Sequence, residues 1–182
     1  MLKSWLHRFP ALLQGTVVLP LLTVALSVEL GGCGFHLQGH TPLSPAMRAP
    51  YVVSTDRQSD FVQSLRRAML MSGALPVDDE KHASAVVHIL RDQVIRQVLS
   101  TSAANQITEY VVTYNVRFSV TIGDKEVLAP QDVSSTQPYS FNESLQLAKQ
   151  QEEISLRQGM ARDLADIVMR RLVHVEAPPP AT

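Results

Sequence analysis

The stretch EYVVTYNVRFSVTI, residues 109–122, decides the fold, because apolar and polar side chains alternate along its whole length. Its even-numbered positions, from Tyr110 to Ile122, are all aromatic or β-branched, whereas most of its odd-numbered positions are polar. Successive side chains of a β-strand point to opposite faces, so this period of two places the apolar set on one face. The stretch therefore predicts a long strand that is buried on one side and needs partner strands.

Segments on either side of this strand are candidates for its partners. Residues 85–99 have apolar side chains every four residues, as in a helix, but they begin with a run rich in β-branched residues, so periodicity alone does not decide between the two. A strand is favoured because the polar segment 99–106 would turn it back into a hairpin. After a turn at residues 123–125, residues 126–129 and 133–141 predict further strand.

Two helices are predicted outside these strands. Ser59 can cap a helix whose end is marked by Gly73, and a short strand at residues 51–55 precedes it. Asn142 can cap a second helix, from about residue 143 to 173, with an apolar stripe along one side. The predicted fold class is α+β, with a sheet of about four strands and two helices packed on one of its faces.

The amino-terminal segment has the pattern of a secretory signal peptide. Lys3 and Arg8 precede a mostly apolar stretch, which ends in the small residues before Cys33. The run LGGC, residues 30–33, is typical of a bacterial lipobox, in which the signal is cut before the cysteine and the thiol and the new amino terminus are acylated. We therefore expect residues 1–32 to be a lipoprotein signal peptide and Cys33 to be a lipidated membrane anchor.

An uncut transmembrane anchor is the alternative, since the apolar stretch from Phe9 is about long enough to span a bilayer. Pro20 interrupts this stretch and Glu29 lies at its end, and both favour cleavage. Gly34 follows the cysteine where an aspartate would signal retention in the inner membrane, which favours the outer membrane.

The rest of the chain divides into three predicted segments. Residues 33–50 contain five Gly or Pro residues and are predicted to be a lipidated tether, residues 51–174 a single α+β domain, and residues 175–182 a disordered tail. The formal net charge is −1, and it becomes −2 when Lys3, Arg8 and Glu29 leave with the signal. This balance gives no electrostatic support for binding nucleic acid.

The sequence has no recognisable catalytic or metal-binding pattern. Cys33 is the only cysteine, and His82 and His88 have no partners at metal-ligand spacing. His88 lies in an apolar run and is interpreted as a structural histidine, while Glu152 and Glu153 are most simply the solvent side of the last helix. We predict that the protein is not an enzyme and takes no cofactor or metal.

Four short segments together resemble the LptE family of lipopolysaccharide-assembly lipoproteins. They occur in the family's order along the chain: GCGFHL at residues 32–37, TEY at 108–110, LAK at 147–149 and RRL at 170–172. The resemblance implies a small sheet with two helices that inserts into the lumen of the outer-membrane β-barrel LptD and helps it to assemble. It also implies contact with lipopolysaccharide on its way to the outer leaflet, and attachment to the outer membrane on its periplasmic side.

The chain differs from the family at positions that would contact lipopolysaccharide. Gln38 stands where family members usually carry a basic residue, and residues 97–116 and 126–148 contain no Lys or Arg. Because anionic phosphates bind best to paired cations, any direct contact with lipopolysaccharide would involve Arg117 or Lys125. The alternative function is a general envelope scaffold or pilot lipoprotein that binds another protein machine.

Overall fold

The computed structural model describes residues 43–177, so the predicted signal peptide, Cys33 and most of the predicted tether lie outside the described residues. The regular elements are two helices and four strands. In chain order they are β1 (Pro50–Val53), α1 (Asp60–Met71), β2 (Ala85–Thr101), β3 (Ile107–Ile122), β4 (Lys125–Ser140) and α2 (Gln146–Leu172).

The four strands form one mixed sheet with the order β1-β2-β3-β4. Strand β1 runs parallel to β2, with α1 in the connection between them, and β2, β3 and β4 form an antiparallel meander. The ambiguous segment 85–99 is therefore a strand, as favoured from the sequence. The two separate strand segments predicted after the β3–β4 turn are one continuous strand, which passes through Pro130 and Pro138. An edge strand tolerates these prolines because one of its sides has no neighbour to bond.

One face of the sheet is buried beneath the two helices, as predicted. In β3 the side chains of Val112, Val116 and Phe118 are no more than 1% exposed, and they alternate with partly exposed neighbours. The helices contribute Phe61 and Leu65 from α1, and a second set from α2 that lies wholly in its carboxyl-terminal half: Met160, Ala161, Leu164, Ala165, Val168, Met169 and Leu172. The fold is α+β, as predicted, and within residues 43–177 no helix packs on the other face of the sheet, which we call the open face.

The hydrophobic core includes residues on both sides of the predicted range 51–174. Met47 is fully buried and Leu43 packs against the core, although both belong to the predicted tether. Val175, the first residue of the predicted tail, is only 4% exposed, and its carbonyl oxygen accepts a hydrogen bond of 2.5 Å from Ser44 Oγ. The two ends of the described chain are thus joined, and residues 178–182 lie outside the description.

The ends of α1 follow the sequence signals, whereas the start of α2 does not. Ser59 Oγ accepts a hydrogen bond from the Val62 backbone N–H, and Gly73 follows the helix with a φ of 82°. Asn142 caps a short 3₁₀ turn, Glu143–Leu145, rather than the long helix, which begins at Gln146. Within residues 43–177, neither helix is long and apolar enough to cross a membrane.

A β-bulge divides β2 into two parts with different surroundings. The pairing with β3 shifts between Ile89 and Arg91, immediately after β1 ends opposite His88. Beyond this point β2 loses its β1 neighbour, and most of its side chains are exposed. We call residues 91–101 of β2, with the parts of β3 and β4 that lie beside them, the distal sheet.

Candidate interaction surface

The structure does not bring together the two residues predicted to contact a ligand. Arg117 lies in the middle of β3, on the open face of the sheet. Lys125 is the first residue of β4 and pairs with Ile122 at the end of the hairpin. Five residues of strand separate position 117 from position 122, which corresponds to about 17 Å. The two cations therefore cannot hold one phosphate group between them, and the predicted Cys33 anchor lies outside the described residues.

Arg117 instead belongs to a row of three charged side chains across the open face. Arg91 of β2 lies directly opposite Arg117, which lies directly opposite Asp132 of β4. Asp132 carboxylate oxygens are 3.7 Å from Arg91 Nη1 and 3.4 Å from Arg117 Nη1. Like charges directly opposite each other in a sheet are unfavourable, and the shared carboxylate offsets this repulsion. The row has a formal charge of +1 and its side chains are 41–59% exposed, so it is accessible to an anionic group.

Beyond this row, the open face of the distal sheet is mostly polar, with Ile95 as an exposed apolar side chain and Glu109 as a further charge that accepts a hydrogen bond from Ser100 Oγ. Thr113 and Thr136 lie opposite each other, with their hydroxyl oxygens 3.2 Å apart. The neighbouring positions on the same face are Gln93 and Asn115, which pair with each other, and Ser134. Hydroxyl and amide groups both donate and accept hydrogen bonds, so these groups can contact a polar surface without burying an unpaired charge.

On the helix face, a polar cluster attaches the amino-terminal half of α2 to the distal sheet. Glu153 Oε2 accepts hydrogen bonds from Arg96 Nη1 at 2.8 Å and from the Tyr139 hydroxyl at 2.6 Å. The Arg96 guanidinium also lies over the Tyr110 ring, 4.8 Å from its centroid, and Tyr110 stacks on Tyr139. Glu153 was predicted to be on the solvent side of the helix, but its side chain is only 17% exposed.

The pKa values in this cluster follow from burial and from these hydrogen bonds. Burial raises the pKa of a carboxyl group, but the hydrogen bonds from Tyr139 and Arg96 together outweigh it, so the pKa of Glu153 is lowered. Burial and the hydrogen bond to Glu153 raise the pKa of Tyr139 to about 12. The cluster is thus an ionised carboxylate held by a neutral phenol and a cation, an arrangement that positions the helix.

A second polar cluster fixes the start of α1 against β2. Ser59 Oγ donates a hydrogen bond of 2.5 Å to Asp92 Oδ2 and at the same time caps the helix. Burial, followed by the neighbouring Asp92 carboxylate, raises the pKa of Tyr114 well above its usual range. Because Asp92 is held between the helix cap and the sheet, its position is explained by the fold itself.

The histidines and acidic residues of the described part of the chain do not gather into a metal site. Within residues 43–177, no three His, Cys, Asp or Glu side chains come close enough to hold a metal ion. His88 Nε2 lies 3.0 Å from Thr121 Oγ1, as a cross-strand contact. A shallow pocket of about 530 Å³ lies where β3 begins and β4 ends, and its lining residues are Gln106, Ile107, Thr108, Phe141, Asn142, Glu143 and Ser144.

Arg91 and Asp132 are the members of the charged row that sequence reasoning missed. The signal was present in part, because the alternation of β3 already placed Arg117 on its polar face. The position of Arg91 depends on the bulge at Leu90, which shifts the register of β2 by one residue. Without that shift Arg91 would point to the opposite face, and neither periodicity nor composition marks the bulge.

The comparisons with known proteins agree with this fold and identify the family. A family model described as LptE, lipopolysaccharide-assembly, matches residues 47–172, a range that includes both helices and all four strands. The chain belongs to the LptE family. The resemblance seen in the short segments of the sequence is therefore confirmed.

Named relatives are similar to this chain in sequence, and solved structures have the same fold. The chain is 26% identical over 172 residues to the LPS-assembly lipoprotein LptE of Yersinia enterocolitica, covering 94% of this chain and 78% of that protein. It is 24% identical to the protein of the same name from Pectobacterium atrosepticum, covering 85% and 84% of the two chains. A lipoprotein B structure from Nitrosomonas europaea has the same fold, with a TM-score of 0.62 at 21% identity, covering 77% of this chain and 90% of that chain. A minor lipoprotein from Acinetobacter baumannii has a TM-score of 0.61 at 19% identity, covering 76% and 100%.

Proposed function

We propose that this LptE-family protein is an outer-membrane lipoprotein that occupies the lumen of the LptD β-barrel, assists its assembly and supports lipopolysaccharide transport to the outer leaflet. The observation that carries the proposal is the family match across residues 47–172, the whole helix-and-sheet core. The relatives named LPS-assembly lipoprotein LptE match over most of their own length, so the likeness covers the protein rather than one motif.

The surface of the domain suits such a location. The lumen of a large outer-membrane barrel is polar, so a domain that fills it needs a polar outer surface. The open sheet face contributes Thr113, Asn115 and Thr136 to such a surface, together with the charged row of Arg91, Arg117 and Asp132. The function is structural and non-enzymatic, carried out by binding.

Attachment to the outer membrane is assigned to Cys33. The lipobox at residues 30–33 and Gly34 after the cysteine support an acylated amino terminus that is sorted to the outer membrane. Leu43, the first described residue, packs against the core, so no more than about ten residues of chain separate the lipid from the domain. Such a segment spans at most about 35 Å when fully extended, which keeps the domain close to the membrane.

Where lipopolysaccharide contacts the open face directly, Arg117 and Arg91 together bind it. These two guanidinium groups share one carboxylate, which leaves one net positive charge for a phosphate group. Lys125 lies too far along the sheet to join them. Replacing both arginines by glutamine should weaken retention of lipopolysaccharide by the purified full chain, whereas Lys125→Gln should leave it unchanged.

The proposal as a whole is tested by affinity purification of the tagged full chain from detergent-solubilised envelope, followed by mass spectrometry. We expect a large outer-membrane β-barrel to be recovered in amounts equal to the lipoprotein. We also expect depletion of the protein to raise outer-membrane permeability. Recovery of the lipoprotein alone, or with a non-barrel machine, would contradict the proposal and favour a scaffold or pilot role.

A further inference from the structure

Three large apolar side chains are exposed together at the carboxyl-terminal end of α1. Leu70, Met71 and Leu75 are 55%, 64% and 64% exposed. The helix ends at Met71, and the Ala74 backbone N–H donates a hydrogen bond of 3.1 Å to the Met69 carbonyl oxygen, which folds the chain back at once. Leu75 therefore lies at the same end of the domain as Leu70 and Met71. We call these three side chains the apolar patch, a feature that marks an interaction site.

The apolar patch lies close to the place where the predicted tether enters the domain. The Leu75 backbone N–H donates a hydrogen bond of 2.8 Å to the carbonyl oxygen of Arg48. Arg48 follows Leu43, the first described residue, by five positions along the chain. The segment from Cys33 to Leu43 spans at most about 35 Å when fully extended. An acylated Cys33 therefore holds the apolar patch within reach of the bilayer surface.

Two arginine side chains border the apolar patch. Arg67 is exposed on α1, three residues before Leu70 and four before Met71, and residues at this spacing are neighbours on a helix surface. Its Nη2 donates to Ser64 Oγ at 3.2 Å, which leaves other guanidinium N–H groups for an anion. Arg48 is exposed as well, and within residues 43–177 neither arginine forms an ion pair with an acidic side chain. Exposed apolar side chains bordered by cations are typical of a surface that lies in the interface of an anionic membrane.

The acidic run at residues 78–80 is directed away from the apolar patch. Val77 bridges in parallel to β1, and β1 runs from this end of the domain towards the distal sheet. The first acidic residue of the run, Asp78, forms an ion pair of 2.8 Å with Arg66. The acidic β3–β4 turn is separated from β1 by strand β2. The charges beside the patch are therefore those of Arg48 and Arg67.

We propose that the apolar patch of the anchored lipoprotein inserts into the periplasmic leaflet of the outer membrane, with Arg48 and Arg67 at the phosphates of anionic phospholipids. A surface of this kind is buried about 5–10 Å into the boundary between headgroups and acyl chains. The inference rests on the proposed acylation of Cys33, concerns the lipoprotein before it occupies a barrel, and does not rest on the proposed barrel. The lipid attaches the chain, and the patch fixes the orientation of the domain so that the distal sheet remains in the periplasm.

Tryptophan fluorescence of the full chain in vesicles tests this insertion. Trp5 is the only natural tryptophan and belongs to the predicted signal peptide, so the acylated chain contains none and Leu75→Trp is a single reporter. The chain, with its acylated mass verified, is reconstituted into vesicles of phosphatidylethanolamine and phosphatidylglycerol with brominated acyl chains, because bromine quenches tryptophan that lies among them. We expect the emission to fall about twofold relative to vesicles without bromine, as the insertion depth requires. Met71→Trp should give the same decrease, so the result does not depend on one variant.

Leu147→Trp is the matched control, because Leu147 is 82% exposed at the start of α2, close to the end of β4 at the distal sheet. Its emission should be the same with and without bromine. Equal quenching at positions 75 and 147, or quenching at neither, would overturn the proposal. A blue shift at position 75 without quenching by bromine would show that protein covers the patch, either a second copy or a partner, and would overturn it as well.

The charge of the surface is tested with the same reporter. Replacing Arg48 and Arg67 together by glutamine should reduce the quenching at position 75, whereas Arg162→Gln, which removes an exposed arginine from the middle of α2, should not. Unchanged quenching after both replacements would refute the contact with lipid phosphates.

Flotation of the reconstituted chain with the vesicles measures the anchor separately from the patch. A chain that floats with the vesicles but shows no quenching at position 75 refutes the patch alone. A chain that does not float, or that retains residues 1–32, contradicts the anchor and with it this inference.

Discussion

Glu153 provides the strongest test of how the domain holds its long helix. Its carboxylate is the one contact by which the amino-terminal half of α2 reaches both Arg96 and Tyr139 of the distal sheet. The apolar contacts of α2 that are fully buried begin only at Met160. Replacing Glu153 should therefore loosen this half of the helix and lower the stability of the whole domain.

The magnitude follows from the two hydrogen bonds. A hydrogen bond to a charged group contributes roughly 1.5–3 kcal/mol net, and the exposure of Arg96 places its contribution at the low end of that range. Glu153→Ala removes both bonds and should cost about 2–3 kcal/mol. Glu153→Gln keeps an oxygen that can accept from Tyr139 and loses only the charge, so it should cost about 1 kcal/mol. A loss of 2 kcal/mol corresponds to a decrease in Tm of roughly 4–8 °C.

Thermal and denaturant unfolding of the full chain in detergent, followed by circular dichroism, measures these differences. Glu152→Gln is the matched control, because it removes the same charge one residue earlier from a side chain that is half exposed and pairs with Lys149 of its own helix. It should change the stability by less than about 0.5 kcal/mol. Equal effects of the changes at positions 152 and 153 would refute the reasoning.

The pH dependence of stability provides an independent check on the same cluster. Because the folded pKa of Glu153 lies below its ordinary value of 4.5, its contribution is fully present above that value and is lost as the pH falls through the folded pKa. The pKa of Tyr139 is raised to about 12, so stability should also decrease as the pH rises from 10 towards 12. Glu153→Gln should flatten the acidic part of this pH profile. Glu152→Gln should give the same acidic profile as wild type.

Three further predictions concern the anchor, the core and the charged row. Cys33→Ala should leave the domain folded but release it from the membrane fraction, and unchanged fractionation would indicate an uncut transmembrane segment. Phe118→Ala removes a fully buried ring from the centre of β3 and should cost about 3–5 kcal/mol in unfolding experiments, a loss that Gln137→Ala should not reproduce. Asp132→Asn should lower stability by no more than about 1 kcal/mol, since its pairs are exposed, and should increase lipopolysaccharide retention by freeing both arginines; reduced retention would contradict the assignment of this row.

The sequence predicted the elements of this fold well because their signals are local. The alternation in residues 109–122 has the period of two that is typical of a strand with one buried face. Val112, Val116 and Phe118 are buried, as that period predicts. Ser59 and Gly73 mark the ends of α1 because a helix cap depends only on adjacent residues. These features need no knowledge of distant parts of the chain.

The features that were missed depend on register and on distant contacts. The bulge at Leu90 places Arg91 on the open face, and no local sequence pattern indicates this bulge. Glu153 lies on a helix where its neighbours are exposed, and only the position of Arg96, 57 residues away, shows that it faces the sheet. Met47 and Val175 were placed outside the domain because the proline-rich segments beside them resemble a tether and a tail. Their burial follows from the way the two ends of the described chain meet.

Native mass spectrometry of the complex extracted in detergent tests the central claim most directly. The account predicts one particle that contains a single outer-membrane β-barrel and a single copy of this protein, whose mass corresponds to a chain starting at an acylated Cys33. A lipoprotein that is found only without a barrel, or that retains residues 1–32, would contradict it.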